Sequence, residues 1–452
     1  PLVLGLAAPI LLLWLAAPAV TWWLSRPLVR PEPRLTHAQQ EFLQVLARRT
    51  WAFFETFVGP EDNWLPPDNV QKQPGPMVAH RTSPTNIGLA LLANLVAHDF
   101  GYLPTGRLLE RTARTLRSMA SLERYRGHLY NWYDTQSLQP LLPMYVSTVD
   151  SGNLAAHLLT LRVGLLALPD EPIVPRRVFA GIGDTLGVLT ESQAGGATKQ
   201  QMELRRELDL AIAAGVTTPG DVRRRLDRLV VLAGELAATA GSAAVAAPAD
   251  TIPQQDWARV LLDQCQAARD ELAARARWTS LASPPAGLET LLSHARVPTL
   301  RELAGLEERV LPIIERELAA DHDAATHAWL RDFRAEIAAS SALARQDIAT
   351  IEELARQADE FATPDFDFLY DTSRRLLTIG YNVTERRRDP SYYDLLASEA
   401  RLCSFLAIAQ GQLPQENWFA LGRLLTVAGG DPVLVSWSGS MFEYLMPLLV
   451  MP

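Results

Sequence analysis

Apolar residues along this chain recur mostly at intervals of three and four, the period of a helix, and alternate as in a strand only over short stretches. The first stretch has no period at all. Residues 1–25, PLVLGLAAPILLLWLAAPAVTWWLS, carry no charge and exceed the roughly 20 apolar residues that a membrane-spanning helix needs. The run predicts a transmembrane segment, with Trp22 and Trp23 in the place of an interfacial aromatic belt. Arg26, Arg30 and Arg34 follow in a basic juxtamembrane linker over 26–36, which by the positive-inside rule sets the rest of the chain on the cytoplasmic side. A signal peptide would open on a basic region and close on small residues. A buried core helix is the other reading of so apolar a run. The chain opens without an initiator Met.

From Thr36 onward the helical period takes over. Thr36 and Gln39 are spaced as a capping box, after which Phe42, Leu43, Leu46, Trp51, Phe54 and Phe57 mark an amphipathic helix over 37–58, stopped by Gly59-Pro60. Two more helices are predicted over 85–98 and 107–122, joined by DFGYLPTG, and another over 151–168. Residues 168–350 hold five of the 34 aromatic residues and are dense in Ala, Leu, Arg and Glu. They read as a helical insertion of antiparallel hairpins, with helix starts at Thr218-Pro219 and at Thr299 with Glu302, and an apolar stripe in LRELAGLEERVLPIIEREL. GSAAVAAPADTIP, over 241–253, reads as a flexible joint, and the runs RRELD and RRRLDR as solvated faces. Near the C-terminus Pro390, Ser391 and Asp394 predict a helix start that places Glu399 two turns in. A return helix is expected over 412–428, and Trp437-Ser438-Gly439-Ser440 would cap a last helix, MFEYLMPLL, with Glu443 in its first turn, where the helix dipole favours a charged carboxylate.

Charge and cysteine usage narrow the possible partners. A chain of 452 residues with 48% hydrophobic content has ample core for one large or two medium domains, and its net charge of −9, with arginines dispersed among acids, offers nucleic acid no basic face. Cys265 and Cys403 lie far apart, which suggests neither a disulfide framework nor a cysteine metal site. Asp365, Asp367 and Asp371 alternate with aromatics, but their spacing does not fit a calcium loop and the required Gly is missing. No metal and no cofactor are predicted.

The candidate chemistry lies in loops and in two carboxylates. The loop after 58 carries Trp64, Asp68 and His80. The loop over 124–153 carries Asn131, Trp132, Tyr133, Asp134, Asp150 and Asn153, aromatic faces interleaved with short polar side chains. A sugar ring, with apolar faces and polar edges, asks for that mixture, and a packing lid over helices would use it too. Tyr370, Asp371, Tyr381 and Asn382 repeat the pattern, as do Tyr393, Asp394 and Trp437. Glu399 and Glu443 stand among Leu, Phe and Met, where an unpaired charge costs several kcal/mol, so each is either hydrogen-bonded structure or a site. Arg401 is a poor partner for Glu399, because helix residues two apart do not face each other.

The runs SPTNIGLALLANL, LYNWYDT, STVDSGNLAAHL, SYYDLLASEARLCSFLAIA, NWFALGR and SWSGSMFEYLMP resemble the central cyclization domain of bacterial cyclic β-1,2-glucan synthases and, less closely, β-1,2-glucanases of glucoamylase-like fold. The resemblance covers about 37–165 and 355–452. It implies an all-α, (α/α)6-barrel-like toroid built from 37–167 and 351–452, incomplete at its C-terminal end, around the helical insertion at 168–350. It also implies a glucan synthase region upstream, a phosphorylase-like region downstream, and a place in the bacterial inner membrane with the soluble part on the cytoplasmic side. The substrate implied is a β-1,2-glucan chain.

Cutting a linear β-glucan and closing it into a β-linked ring retains configuration, which calls for a glycosyl-enzyme intermediate and two carboxyl groups about 5–5.5 Å apart. Glu399 is expected as acid/base and Glu443 as nucleophile, or else as a substrate-holding carboxylate whose catalytic counterpart lies past Pro452. Two other readings stand beside this one. One is an endo-β-1,2-glucanase, in which water replaces the attacking sugar hydroxyl. The other is a non-catalytic, membrane-anchored glycan-binding helical scaffold.

Overall fold

A computed structural model of the protein describes residues 2–25, 35–75, 77–193, 196–213, 218–241, 256–292 and 296–451. The chain divides into two compact units, Pro1–Leu43 and Gln44–Pro452. In the first, α1 (Leu2–Leu24) is uncharged, and its stretch from Ala7 is exposed and long and apolar enough to cross a membrane. α2 (His37–Phe57) starts behind the expected capping box, with the Thr36 amide donating to Gln39 Oε1 (2.9 Å) and the Gln39 amide to Thr36 Oγ1 (3.3 Å). The arginines of the basic linker, Arg26, Arg30 and Arg34, lie outside the described residues, as does the 241–253 joint beyond Gly241.

The second unit is helical, with the strands confined to its loops. In chain order its helices are α3 (Pro84–Asp99), α4 (Thr105–Ser121), α5 (Thr148–Ala167), α6 (Arg177–Glu191), α7 (Lys199–Ala213), α8 (Pro219–Gly241), α9 (Trp257–Arg275), α10 (Leu300–Ala304), α11 (Leu306–Ala319), α12 (Ala324–Phe361), α13 (Ala400–Ala409), α14 (Glu416–Ala420) and α15 (Met441–Leu445). Thirteen strands of two to four residues, among the described residues, form small sheets; a three-stranded one sets Gly380–Asn382 between Tyr145–Ser147 and Arg387–Arg388. The all-α class read from the periodicity is the one adopted, with helices paired as in an α/α toroid: α3 on α4 and α5, α8 on α9, α12 on α4 and α5.

α5 is the hub. It packs against α3, α12 and α13, so segments more than two hundred residues apart in sequence meet on one helix. Its apolarity would also suit a membrane span, but most of its surface is buried by those neighbours, which marks it as a core helix. The approach of α13 depends on Gly152: a Cβ at that position would stand 2.4 Å from Cys403 Cβ. The cysteine thiol in turn donates to the Thr148 carbonyl at 3.3 Å.

Helices of 168–350 share one continuous apolar core with the rest of the unit. Buried polar contacts join them to it as well. Arg48 of α2 donates to Thr185 Oγ1 (2.7 Å), Thr185 donates to Gln264 (2.6 Å), and Gln264 donates to the Gly101 carbonyl (3.1 Å). The expected boundary at 350/351 falls inside α12, which runs unbroken for 38 residues. The Thr299–Glu302 capping box is present, but the stripe that follows is split at Gly305 into α10 and α11.

Two predicted helices are not formed. Residues 391–399 are irregular and extended, because their backbone is held by distant segments: Ile379 N donates to Ser391 O (3.0 Å), Tyr392 bridges Thr378, and Leu395 N donates to Gly422 O (2.9 Å). Glu399 is therefore the residue before α13 rather than two turns inside a helix. In place of a return helix over 412–428 there are only the five residues of α14, then a hairpin pairing Leu425–Ala428 with Asp431–Leu434. Its turn is Gly429-Gly430, both at positive φ, a conformation glycine adopts without steric cost.

The Gly152→Ala variant should lower the melting temperature, by about 1–3 kcal/mol of stability as expected for overpacking, in thermal unfolding followed by circular dichroism.

Candidate active site

The N-terminal turns of α3 and α5 open on the same polar cluster. Ser83 caps α3 by accepting from the Asn86 amide (3.2 Å), with Pro84 at the first helical position and Thr85 next to it. Ser147 caps α5 in the same way, accepting from the Asp150 amide (3.3 Å) while its hydroxyl donates to Asp150 Oδ2 (2.5 Å). Thr85 donates to the other Asp150 oxygen at 2.6 Å. One turn further along α5, the Asn153 amide nitrogen donates to Thr85 Oγ1 (3.0 Å) and to Glu399 Oε2 (3.1 Å). With its amide nitrogen turned to Asp150, Asn131 donates to Oδ2 at 3.1 Å and its oxygen accepts from Trp132 Nε1 at 3.2 Å.

Glu399 sits at the far end of this network, 4% exposed. Burial raises its carboxyl above the ordinary range and the neighbouring Asp150 charge adds to the rise, against hydrogen bonds from Asn153 and from Ser398 Oγ (2.9 Å) that favour the ionised form. The Tyr393 hydroxyl is pushed up to about 12 by burial and by the Asp150 and Glu399 charges, which places it beside both carboxylates. The Arg401 guanidinium donates to the Tyr444 carbonyl at 2.7 Å.

Glu443 is built differently. Its Oε1 accepts from the Ser398 amide (3.0 Å), and its Oε2 accepts from Ser436 Oγ (2.5 Å) and the Ser438 amide (3.1 Å). Burial would raise this carboxyl, but those donors outweigh it and hold it down at about 2. The expected capping by Ser440 is present (3.3 Å), but α15 is a single short turn, so the hydrogen bonds rather than a helix dipole keep Glu443 ionised. Beside it Trp437, 68% exposed, donates through Nε1 to Asp394 Oδ2 at 3.2 Å.

Several other candidate residues make contacts within their own loops. Tyr133 is fully buried, donating to the Glu123 carbonyl (2.5 Å) and accepting from the Tyr130 amide (2.7 Å). Asp134 accepts from the Gln136 and Ser137 amides, and the latter bond above all holds its carboxyl low. Asp371 likewise closes a turn onto Ser373 and Arg374 and accepts from the Tyr392 hydroxyl at 2.5 Å. Asn382 accepts from the Glu385 amide (3.0 Å), and Tyr370 is buried. Tyr381 stays half-exposed, stacked on Tyr125 with ring centres 5.7 Å apart.

From the first loop, Arg81 lies over the Trp132 ring (4.8 Å) and pairs with Asp68 (2.9 Å), to which Asn86 also donates (3.3 Å). Among the described residues no group of three or more His, Cys, Asp or Glu could hold a metal ion. Sequence reasoning missed Thr85, Ser147 and Ser398. The first two were signalled by the cap spacings in SPTN and STVD; Ser398 carries no local signal, for it is a non-glycine residue at φ +51°.

Comparison with known proteins fits this picture. The chain is 36% identical over 416 residues to the cyclic β-(1,2)-glucan synthase NdvB of Rhizobium meliloti, a match spanning 91% of this chain and 13% of that protein. The resemblance read from the motifs is thus borne out, and a match of that length runs through 168–350 rather than around it. This chain is a relative of one segment of a cyclic β-(1,2)-glucan synthase. A solved glucoamylase-like structure from Bacteroides fragilis aligns with 35% of this chain and 38% of its own at 16% identity and a TM-score of 0.25, too local a likeness to carry an argument. No family model matches.

Because the Glu443 carboxyl is held at about 2 against an ordinary 4.5, the stability it contributes is present above pH 4.5 and is lost as the pH falls towards 2. Urea unfolding across that window should therefore show a shallower loss of stability in the Glu443→Gln variant than in the wild type.

Proposed function

We propose that this chain works as part of a cyclic β-1,2-glucan synthase, cutting linear β-1,2-glucan and joining the new end to the same chain with retention of configuration. One observation carries the reading: a buried carboxyl, Glu399, is raised above its ordinary range yet hydrogen-bonded on one oxygen by Asn153 and Ser398. A general acid needs that state. In its protonated form Glu399 donates to the leaving glycosidic oxygen; once ionised, it takes the proton of the incoming sugar hydroxyl. The second carboxylate of such a pair must be free to attack. Both oxygens of Glu443 are taken by donors of its own neighbourhood, which favours a supporting role over the nucleophile's.

The glucan is received, on this reading, by the exposed Trp437 face, the Trp132–Arg81–Asp68 group and the half-exposed Tyr381. Asn131, Asp150, Asn153, Tyr393 and Asp394 hold these groups and the acid in register. α1 anchors the protein in the bacterial inner membrane, with the glucan site on the cytoplasmic side. The match to 13% of NdvB supports action within a longer polypeptide; on this reading a glucan synthase region precedes this segment and a phosphorylase-like region follows it.

Purified full-length enzyme carrying Glu399→Gln, given linear β-1,2-glucan, should lose ring formation by about 100- to 10,000-fold while glucan binding stays measurable, with products read by mass spectrometry. Undiminished ring formation would overturn the assignment. Wild-type release of new reducing ends in place of rings would make the protein a hydrolase.

A further inference from the structure

Four contacts clasp the segment 394–401 to the segment 436–444. Glu443 Oε1 accepts from the Ser398 amide, Arg401 donates to the Tyr444 carbonyl, Trp437 N donates to the Leu396 carbonyl (3.2 Å), and Trp437 Nε1 donates to Asp394. Only the first reaches the residue next to the acid. Ser398 sits at φ +51°, a backbone region that residues with a side chain rarely occupy and that persists only where the surroundings impose it. The strained amide points at a carboxylate that is buried, ionised and anchored at its other oxygen by Ser436 and Ser438. The same residue's hydroxyl, on the other side of the turn, donates to Glu399 Oε2.

We propose that Glu443 is a positioning residue: its carboxylate grips the Ser398 amide, imposes the left-handed turn, and so aims both the Ser398 hydroxyl and the Glu399 carboxyl into the site. The proposal rests on Glu399 as acid/base. Its physical content is a relay of two contacts, carboxylate to amide and hydroxyl to carboxyl, across one strained residue. Glutamine cannot replace Glu443, because three donors converge on its two oxygens and an amide offers only one acceptor oxygen. The other charged or titratable groups around Glu399 are Asp150 on α5, Tyr393 in the 391–399 segment and Arg401 on α13, and the tests leave all of them in place.

The test is the pH dependence of ring formation by the full-length enzyme in Glu443→Gln and Ser398→Gly. Glycine keeps the amide and accommodates positive φ but removes the hydroxyl, so it preserves the turn while cutting the second contact. Because the Ser398 hydroxyl favours ionised Glu399, its loss should move the alkaline limb of the rate profile to higher pH in Ser398→Gly. Glu443→Gln should move the limb the same way and lower kcat by about 100-fold through misplacement of the acid, with KM unchanged. A limb that stays in place in Ser398→Gly overturns the proposal, even if Glu443→Gln proves too unstable to assay. So does glycosyl azide formed by Glu443→Ala in sodium azide, which would make Glu443 the nucleophile. Full activity in Glu399→Gln would instead bring down the acid/base reading itself, an outcome separate from either.

Discussion

The hydrogen bond from Asn153 to Glu399 joins two helices that sequence separates by 246 positions, and the rest of the site hangs on it. The bond exists because α13 lies close against α5, and that closeness exists because position 152 has no side chain. A single missing Cβ thus sets the reach of an amide one residue away. From Asn153 the network runs through Thr85 and Asp150 to Asn131 and Trp132, so the capped starts of α3 and α5 and the aromatic loop become one rigid polar surface. Polar groups in a low-dielectric surrounding are stable only when so satisfied, and a network that is nearly complete fixes each member's position.

Two glutamates of the same chemistry come out opposite in charge behaviour. Both are buried, which disfavours the ionised form of either. Glu443 receives three donors divided between its two oxygens, enough to reverse that penalty. Glu399 receives two donors on one oxygen and feels the charge of Asp150, and the penalty prevails. The difference lies in the count and placement of N–H and O–H groups, with little contribution from either helix start. One carboxyl thus stands above the ordinary range and the other below it, set by the donors each receives.

The helices of 168–350 hold the scaffold behind this surface. Arg275 pairs with Glu271 (2.6 Å) and Asp347 (2.8 Å), and Glu271 accepts from the Gly106 amide (3.2 Å), so α9 and α12 brace the start of α4. α12 then carries the chain directly from this layer onto α5. A region that reads as an appendage by composition is therefore continuous with the helix that bears the site.

What the sequence determined by itself was everything encoded within a few residues. Helical period and cap spacing located α2 to α5, the Thr299 box and the Ser440 cap, because those signals act between residues three or four apart and need no tertiary partner. Uncharged length likewise marked α1, and burial of Glu399 and Glu443 followed from their apolar neighbours. The Gly-Gly pair at 429–430 carries a hairpin signal that the helical reading of 412–428 passed over. Tertiary structure alone decided the rest. The capping spacing at Ser391 lost to backbone partners at 378–379 and 422, and Ser398 took a left-handed turn that no local preference would choose. That Asp134 and Asp371 close turns was settled by where their donors ended up. Local signals fix an element's ends, but a hydrogen bond between residues hundreds of positions apart forms only after packing has brought them together, and the candidate site is made of such bonds.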